Sequence, residues 1–371
     1  MSEEKKEIYL DHISASRTRE EAIEAMDGVL REIYGNPHSV HTQGQRAAEV
    51  LEEARTNVAN LVNAIPEEVI FTSCGSESNN LAIKGIARAR KKKSNRIVIS
   101  AIEHVSINNA VRSLKKEGFE IVTLPVDEYG LVNPDDLTSE IIKGAALVSI
   151  IYASTEIGTV QPIEELSKIC ADARVPFHTD AWGAAGMVPV DFGNSGIAAM
   201  TVASQNFSGP PGISALIIKK GTPIKPIIDG GIQERGLRAG QENLPAIAGM
   251  GVAAKLAKEE MGEKTTRLKE IRDTLLERIP SEIPDVIVTG HREKRLPNHA
   301  SFCFKYIEGE GLLLFLNQYG IMAASGSACT SKSLKASHVL SAIGLDVATA
   351  QGSLVMTFGM DVKLEDVDYI I

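Results

Sequence analysis

Apolar and polar positions change their spacing along the chain. "RIVISA" (96–101), "IVTLPV" (121–126), "ALVSIIYA" (146–153), "VPFHTD" (175–180), "AAMTVAS" (198–204) and "SALIIKK" (214–220) are short, continuous runs rich in β-branched residues. Most are separated by stretches of helical period, such as Ser106 to Glu117. Continuous apolar runs alternating with helices predict strands buried on both faces, in a mainly parallel sheet covered by helices. From about residue 255 the texture changes. "AKLAKEEMGEKTTRLKEIRDTLLERI" carries an apolar stripe at helical spacing and predicts one long amphipathic helix. "SFCFKYI", "GEGLLLFLNQYGI" and a Ser/Gly/Ala-rich loop follow, which predicts a second, smaller α+β unit. The expected division is a large α/β domain over 15–254 and a small domain from 1–14 and 255–371.

At 371 residues and 43% hydrophobic, the chain can bury a sizeable core. A net charge of −9 argues against nucleic acid as a main partner, and the basic run "RARKKKSNR" (88–96) reads as a solvated helix end. No run of apolar residues is long enough to span a bilayer, and "MSEEKKEIYL" has no apolar signal core, so the expectation is a cytoplasmic protein without a membrane partner. The four cysteines form no CxxC pair, which argues against a zinc site or disulfide framework within the chain.

Ligands of doubly covered sheets bind where strands end, and several chemically capable residues fall there. His104 follows "RIVISAIE", Thr155 follows "SIIYAS", Asp180 closes "VPFHTD", and Asn206 follows "MTVASQ". His104 and Asp180 together suit an aromatic nitrogen heterocycle, the imidazole stacking on its face and the carboxylate pairing with a ring N–H⁺. Gly75 and Ser76 in "TSCGSESNNLAIKGIA" precede a predicted helix whose free N–H groups favour a phosphate, although an ordinary cap built on Ser76 and Asn79 is the preferred reading of that stretch alone. Cys329 in "SGSACTSKSLKASHVL" lacks apolar neighbours and predicts an exposed thiol on a mobile loop, a carrier, nucleophile or metal ligand. Cys170 reads as helix packing, Cys303 as strand packing, and Cys74, beside the phosphate-type turn, as either packing or site.

These pieces together resemble cysteine desulfurases of the type that serves iron–sulfur cluster assembly. The likeness covers essentially the whole chain, through "YLDH" (9–12), "YGNPHSVH" (34–41), "FTSCGSESNNLAI" (71–83), "EHVS" (103–106), "EIGTVQPI" (156–163), "HTDAWGAAG" (178–186), "GGIQERGLRAGQEN" (230–243), "RLPNHASF" (295–302), "EGEGLLL" (308–314) and "SGSAC" (325–329). The resemblance implies the aspartate-aminotransferase fold of pyridoxal-phosphate enzymes, fold type I, with a seven-stranded-type sheet. It also implies a homodimer with sites at its interface, and an iron–sulfur scaffold protein as partner. His104, Asp180 and Cys329 match the family's ring-stacking histidine, ring-nitrogen aspartate and persulfide-forming cysteine.

The departures cluster around one ligand. Asn206 stands where the family has the imine-forming lysine, and Gln205 where a histidine precedes it. Ala203 replaces a phosphate-binding serine, Thr155 an asparagine near the ring hydroxyl, and Gly183 a glutamine. Met360 replaces the arginine that grips the substrate carboxylate, and Gln241 a threonine that reaches the partner's phosphate. On these residues the resemblance implies a relative that is free of pyridoxal phosphate or holds it weakly, and that presents Cys329 for sulfur transfer or for ligation of a [2Fe–2S] cluster shared with the scaffold. The alternatives are an active desulfurase turning cysteine into alanine and a persulfide, a structural partner in which Cys329 is incidental, and a sulfur donor for tRNA thiolation.

Overall fold

A computed structural model describes residues 6–326 and 337–371. Along the chain lie β1 (Ile8–Leu10), α1 (Glu20–Glu32), α2 (Thr42–Leu61), β2 (Val69–Thr72), α3 (Gly75–Arg90), β3 (Arg96–Ser100) and α4 (Val105–Lys116). Next come β4 (Glu120–Leu124), α5 (Pro134–Ile141), β5 (Leu147–Ser149), α6 (Ile163–Asp172), β6 (Phe177–Asp180), β7 (Ala199–Ala203) and β8 (Ser214–Ile218). The chain continues through α7 (Leu244–Glu282), β9 (Val286–Val288), β10 (His299–Phe304), α8 (Gly309–Gln318), β11 (Ile321–Ala323), α9 (His338–Ala342) and β12 (Ser353–Thr357).

Seven strands form the main sheet in the order β2-β8-β7-β6-β5-β3-β4. The five strands from β7 to β4 pair in parallel; the inner four are buried almost throughout, in keeping with their unbroken apolar runs, while the edge strand β4 leaves Glu120 and Thr123 exposed. β8 is antiparallel to both of its neighbours, so β2 points the same way as the parallel set. The carboxyl ends of β2, β3, β5, β6 and β7 therefore share one edge. Mid-sheet, the fully buried His178 is bracketed by Ser149 Oγ at 2.9 Å and Thr201 Oγ1 at 3.1 Å. Burial pushes its imidazole down to about 3, which keeps the ring neutral inside the sheet.

The two chain ends meet elsewhere. β1 pairs in parallel with β11, and β9, β10 and β12 form an antiparallel sheet. α7 runs 39 residues and packs on α1 and α2. Close approach to α2 depends on Gly251, where a side-chain Cβ would stand 2.5 Å from Ala54 Cα. The expected division at residue 254 falls inside this unbroken helix. α3 ends at Arg90, within the basic run, as the sequence implied. No helix among the described residues is long and apolar enough to cross a membrane.

Candidate active site

The shared strand edge carries a crevice of about 200 Å³, walled by Gly75, Ser76, His104, Thr155, Asp180 and Gln205, together with Cys74, Asn79 and Trp182. Each residue arrives by local necessity. Asp180 is the last residue of β6, and Gly75 opens α3 directly after β2. His104 caps α4, its Nδ1 accepting the Ser106 N–H at 3.2 Å and standing 2.7 Å from the Ser106 hydroxyl. With Nδ1 accepting, Nε2 is the ring's N–H donor. The imidazole is thus both a helix cap and a wall of the crevice.

The Asp180 carboxylate accepts Nδ2–H of Asn79 at 2.7 Å and the Trp182 N–H at 3.0 Å. Burial pushes the carboxyl up from its ordinary range, and the nearby His104 ring and these two hydrogen bonds pull it back. Asn79 also donates to Ser106 Oγ at 2.9 Å, so one amide ties Asp180 to the base of α4. Its own Oδ1 is buried without a partner. The sequence reading of Ser76 and Asn79 as a cap is corrected here. Cys74 holds the N-cap position without a side-chain bond, Ser73 and Glu77 close the turn, and Asn79 belongs to the crevice. The signal for this was present, since Asn79 lies one helical turn beyond Gly75 and Ser76 on the same face.

Asn206 does not reach the crevice, contrary to its reading as a cofactor-binding residue. It is buried in the turn after β7, its Nδ2 donating to Ala185 O at 2.8 Å, and it walls a different cavity. Its neighbour Gln205 occupies the crevice instead. Met360 is 40% exposed and lines the cavity that Asn206 lines, also away from the crevice.

A further cavity of about 300 Å³ adjoins the crevice, sharing His104, Thr155 and Trp182 with it. Gly326 and His338 wall it, so the two described residues nearest each end of the segment 327–336 stand at its rim or beside it. Gly326 N–H donates to Ser353 Oγ at 3.1 Å, and the Ser337 hydroxyl donates to Glu156. Cys329 lies outside the described residues. Among the described residues, no group of three or more His, Cys, Asp or Glu side chains is gathered to hold a metal ion. Cys170 and Cys303 are buried, as their packing roles required, and Cys74 is exposed.

Sequence reasoning missed two carboxyl groups. Glu103 is fully buried beside His104, with Oε1 accepting from Ser100 Oγ at 2.5 Å and from the Ile151 N–H at 2.7 Å, while Oε2 has no partner. Burial pushes it up to about 8, with Asp180 adding to the rise. Glu156, half-buried beside Ser337, is pushed up to about 7 by desolvation. Glu103 is therefore mostly protonated at neutral pH, and Glu156 titrates close to it.

The match to the aminotransferase class-V family runs over residues 8–370. The chain belongs to that family. It is 44% identical over 367 residues to a protein of Dictyoglomus turgidum named cysteine desulfurase IscS, covering 99% of this chain and 93% of that one. A protein of the same name from Methanosarcina thermophila is 42% identical over 100% of this chain and 92% of its own. Among solved structures, a NifS-like protein matches with a TM-score of 0.91 at 32% identity, over 98% of this chain and 97% of the other. The fold is therefore that of fold-type I, pyridoxal-phosphate-dependent aminotransferases, as the resemblance implied. The relatives bear the name of the enzyme itself, and these comparisons lend no support to a cofactor-free branch.

Proposed function

We propose that the protein handles sulfur for iron–sulfur cluster assembly as a member of the cysteine desulfurase group, binds pyridoxal phosphate without an imine to Asn206, and presents Cys329 to a scaffold protein. The observation carrying this reading is the amide at position 206, bonded to Ala185 O. An amide nitrogen has no free lone pair with which to attack an aldehyde. The remaining residues fit the cofactor non-covalently. The Asp180 carboxylate suits the ring N–H⁺, the His104 ring suits its face, and the first turn of α3 at Gly75 and Ser76 suits the phosphate. When bound, the cofactor supplies an electron sink. Asn79 keeps Asp180 aimed, and His104 is held by Ser106.

The Cys329 thiolate is the sulfur-carrying group: it attacks the outer sulfur of a donor persulfide, whose S–S bond breaks as the donor thiolate leaves, or it ligates a [2Fe–2S] cluster held on the scaffold. The experiment is a visible absorption spectrum with added pyridoxal phosphate, followed by borohydride reduction and peptide mapping. A ligand band without a covalent lysine adduct in the crevice is expected, and a reduced adduct on a crevice lysine sinks the reading. Cys329→Ser is expected to abolish sulfur transfer or cluster retention while leaving the ligand band unchanged.

A second reading is an active desulfurase that cleaves the C–S bond of cysteine, releasing alanine and leaving the sulfur on Cys329. The near full-length identity to proteins named cysteine desulfurase favours it. Alanine release from cysteine by the unmodified protein with pyridoxal phosphate, lost in Cys329→Ser, would replace the first reading with this one.

A further inference from the structure

α1 and α2 both pack on α7, and an apolar groove of about 300 Å³ runs between them. Val29, Ala54 and Ala248 are buried at its floor, and Val50 and Val252 are half-buried beside them. Its walls take in residues 25–33 of α1, about 12 Å of helix, or two turns. Gly28 stands in one wall, in the middle of α1. A glycine there weakens the helix relative to alanine, and the subunit's own packing does not call for one. A Cβ at Gly28 would meet nothing within 4 Å, whereas one at Gly251 would collide with Ala54. A missing side chain at the wall of an apolar groove leaves room for another backbone to come close.

The rim is acidic. Glu32 and Glu53 line the groove, and among the described residues neither has an ion-pair partner. α1 and α2 together carry eight carboxylates against three arginines, and two of the three are engaged, Arg31 by Asp27 and Arg55 by Glu234. Arg46 is the remaining cation. A two-fold contact between copies would set this patch against itself and bring the unpaired glutamates together. The charge therefore favours a basic partner over a second copy of the chain.

We propose that the groove between α1 and α2 receives a basic amphipathic helix of another protein. The apolar stripe of that helix fills the floor, its backbone passes close to Gly28, and lysine or arginine side chains on its flanks pair with Glu32 and Glu53. The inference stands apart from the sulfur chemistry proposed above, because no residue of the groove lies in the crevice or its neighbouring cavity.

The test is calorimetric titration of the full-length protein with a helical peptide of leucine and lysine, about 15 residues long, and with its leucine–glutamate counterpart. The lysine peptide binds saturably in the micromolar range, and the glutamate peptide does not bind. Gly28→Leu, which suits the helix and puts a side chain into the groove, weakens binding at least about tenfold with an unchanged circular dichroism spectrum. Glu32→Gln with Glu53→Gln also weakens it at least about tenfold. The charge-matched control, Glu263→Gln with Glu277→Gln on the far half of α7, leaves it unchanged. Added salt brings the parent's binding toward that of the groove double variant. Absence of saturable binding by the lysine peptide up to about 1 mM overturns the proposal. So does equal binding by the parent and Gly28→Leu, or equal binding of the two peptides. A change in light-scattering mass between the parent and Gly28→Leu assigns the groove to a second copy of the chain and likewise overturns it.

Discussion

Gln205 and Asn206 are adjacent, yet one faces the crevice and the other turns into the body of the protein. Replacing Asn206 by lysine loses its bond to Ala185 O, worth about 1 kcal/mol, and introduces the missing amine. Expected is a borohydride-trapped pyridoxyl adduct at position 206 that the parent protein lacks, read by peptide mass spectrometry. An adduct at 206 undetected at saturating cofactor would mean the turn does not deliver that side chain to the crevice. Glu103 gives a pH signature of a different kind. Its folded pKa of about 8 lies above the ordinary 4.5, so the folded state binds the proton more tightly than the unfolded one. This contribution to stability is fully present below pH 4.5 and is lost as pH rises through 8, a drop on the order of a few kcal/mol. Glu103→Gln keeps the acceptor for Ser100 and Ile151 but has no proton to lose. Its urea-unfolding stability is expected to decline less than the parent's between pH 5 and 8, and parallel curves would refute the assignment.

At the scale of elements, one buried ion pair joins three pieces of chain. Arg55 on α2 forms two bonds to Glu234, at 2.9 and 2.7 Å, and Glu234 also accepts the Phe71 N–H of β2 at 2.7 Å. Both side chains are almost fully buried. Glu234→Ala leaves the buried guanidinium with only Glu52 and the Val69 carbonyl as partners and is expected to cost about 3 kcal/mol, read as a lower urea midpoint. A loss below about 1 kcal/mol would mean that Arg55 finds water instead. Elements of this kind differ in how readable they are. The strands from 96 to 218 other than the edge strand β4 were legible because burial on both faces leaves an unbroken apolar run. The start of α7 was not, for Leu244 to Ala254 is buried nearly all round, and without a polar face it gives no amphipathic period. The crevice was legible where chemistry sits at strand ends, at His104 and Asp180. Asn79 was misread because a helix-start asparagine looks like a cap until its partner 101 residues away is known. The cavity around Lys264 was invisible, since Asn206, Lys264, Asn298 and Met360 meet only through tertiary packing.

At the scale of the whole molecule, the surface near "YGNPHSVH" and "GGIQERGLRAGQEN" is unusually apolar for solvent. Tyr34 is 78%, Val40 92% and Ile232 85% exposed. The two segments are tied together, with His38 Nε2 2.7 Å from Glu242 Oε1. Glu242 keeps its second oxygen buried and unpartnered there. Isolated exposed apolar side chains are common, but several on connected segments mark an interaction site. A second copy of the chain is the expected occupant, because "ERGLRAGQEN" (234–243) resembles the desulfurase segment that reaches the other subunit's site, and the 34–41 segment is tied to it through His38 and Glu242. Light scattering at micromolar concentration is expected to give twice the 39.9 kDa chain mass. Val40→Asp with Ile232→Asp should weaken that dimer at least about a hundredfold, since each change places an unpaired charge against a desolvated surface. Circular dichroism should remain that of the parent, because both positions are exposed and neither contributes to the core. A parent monomer at that concentration, or a double variant that dimerises as tightly as the parent, would place the subunit contact elsewhere.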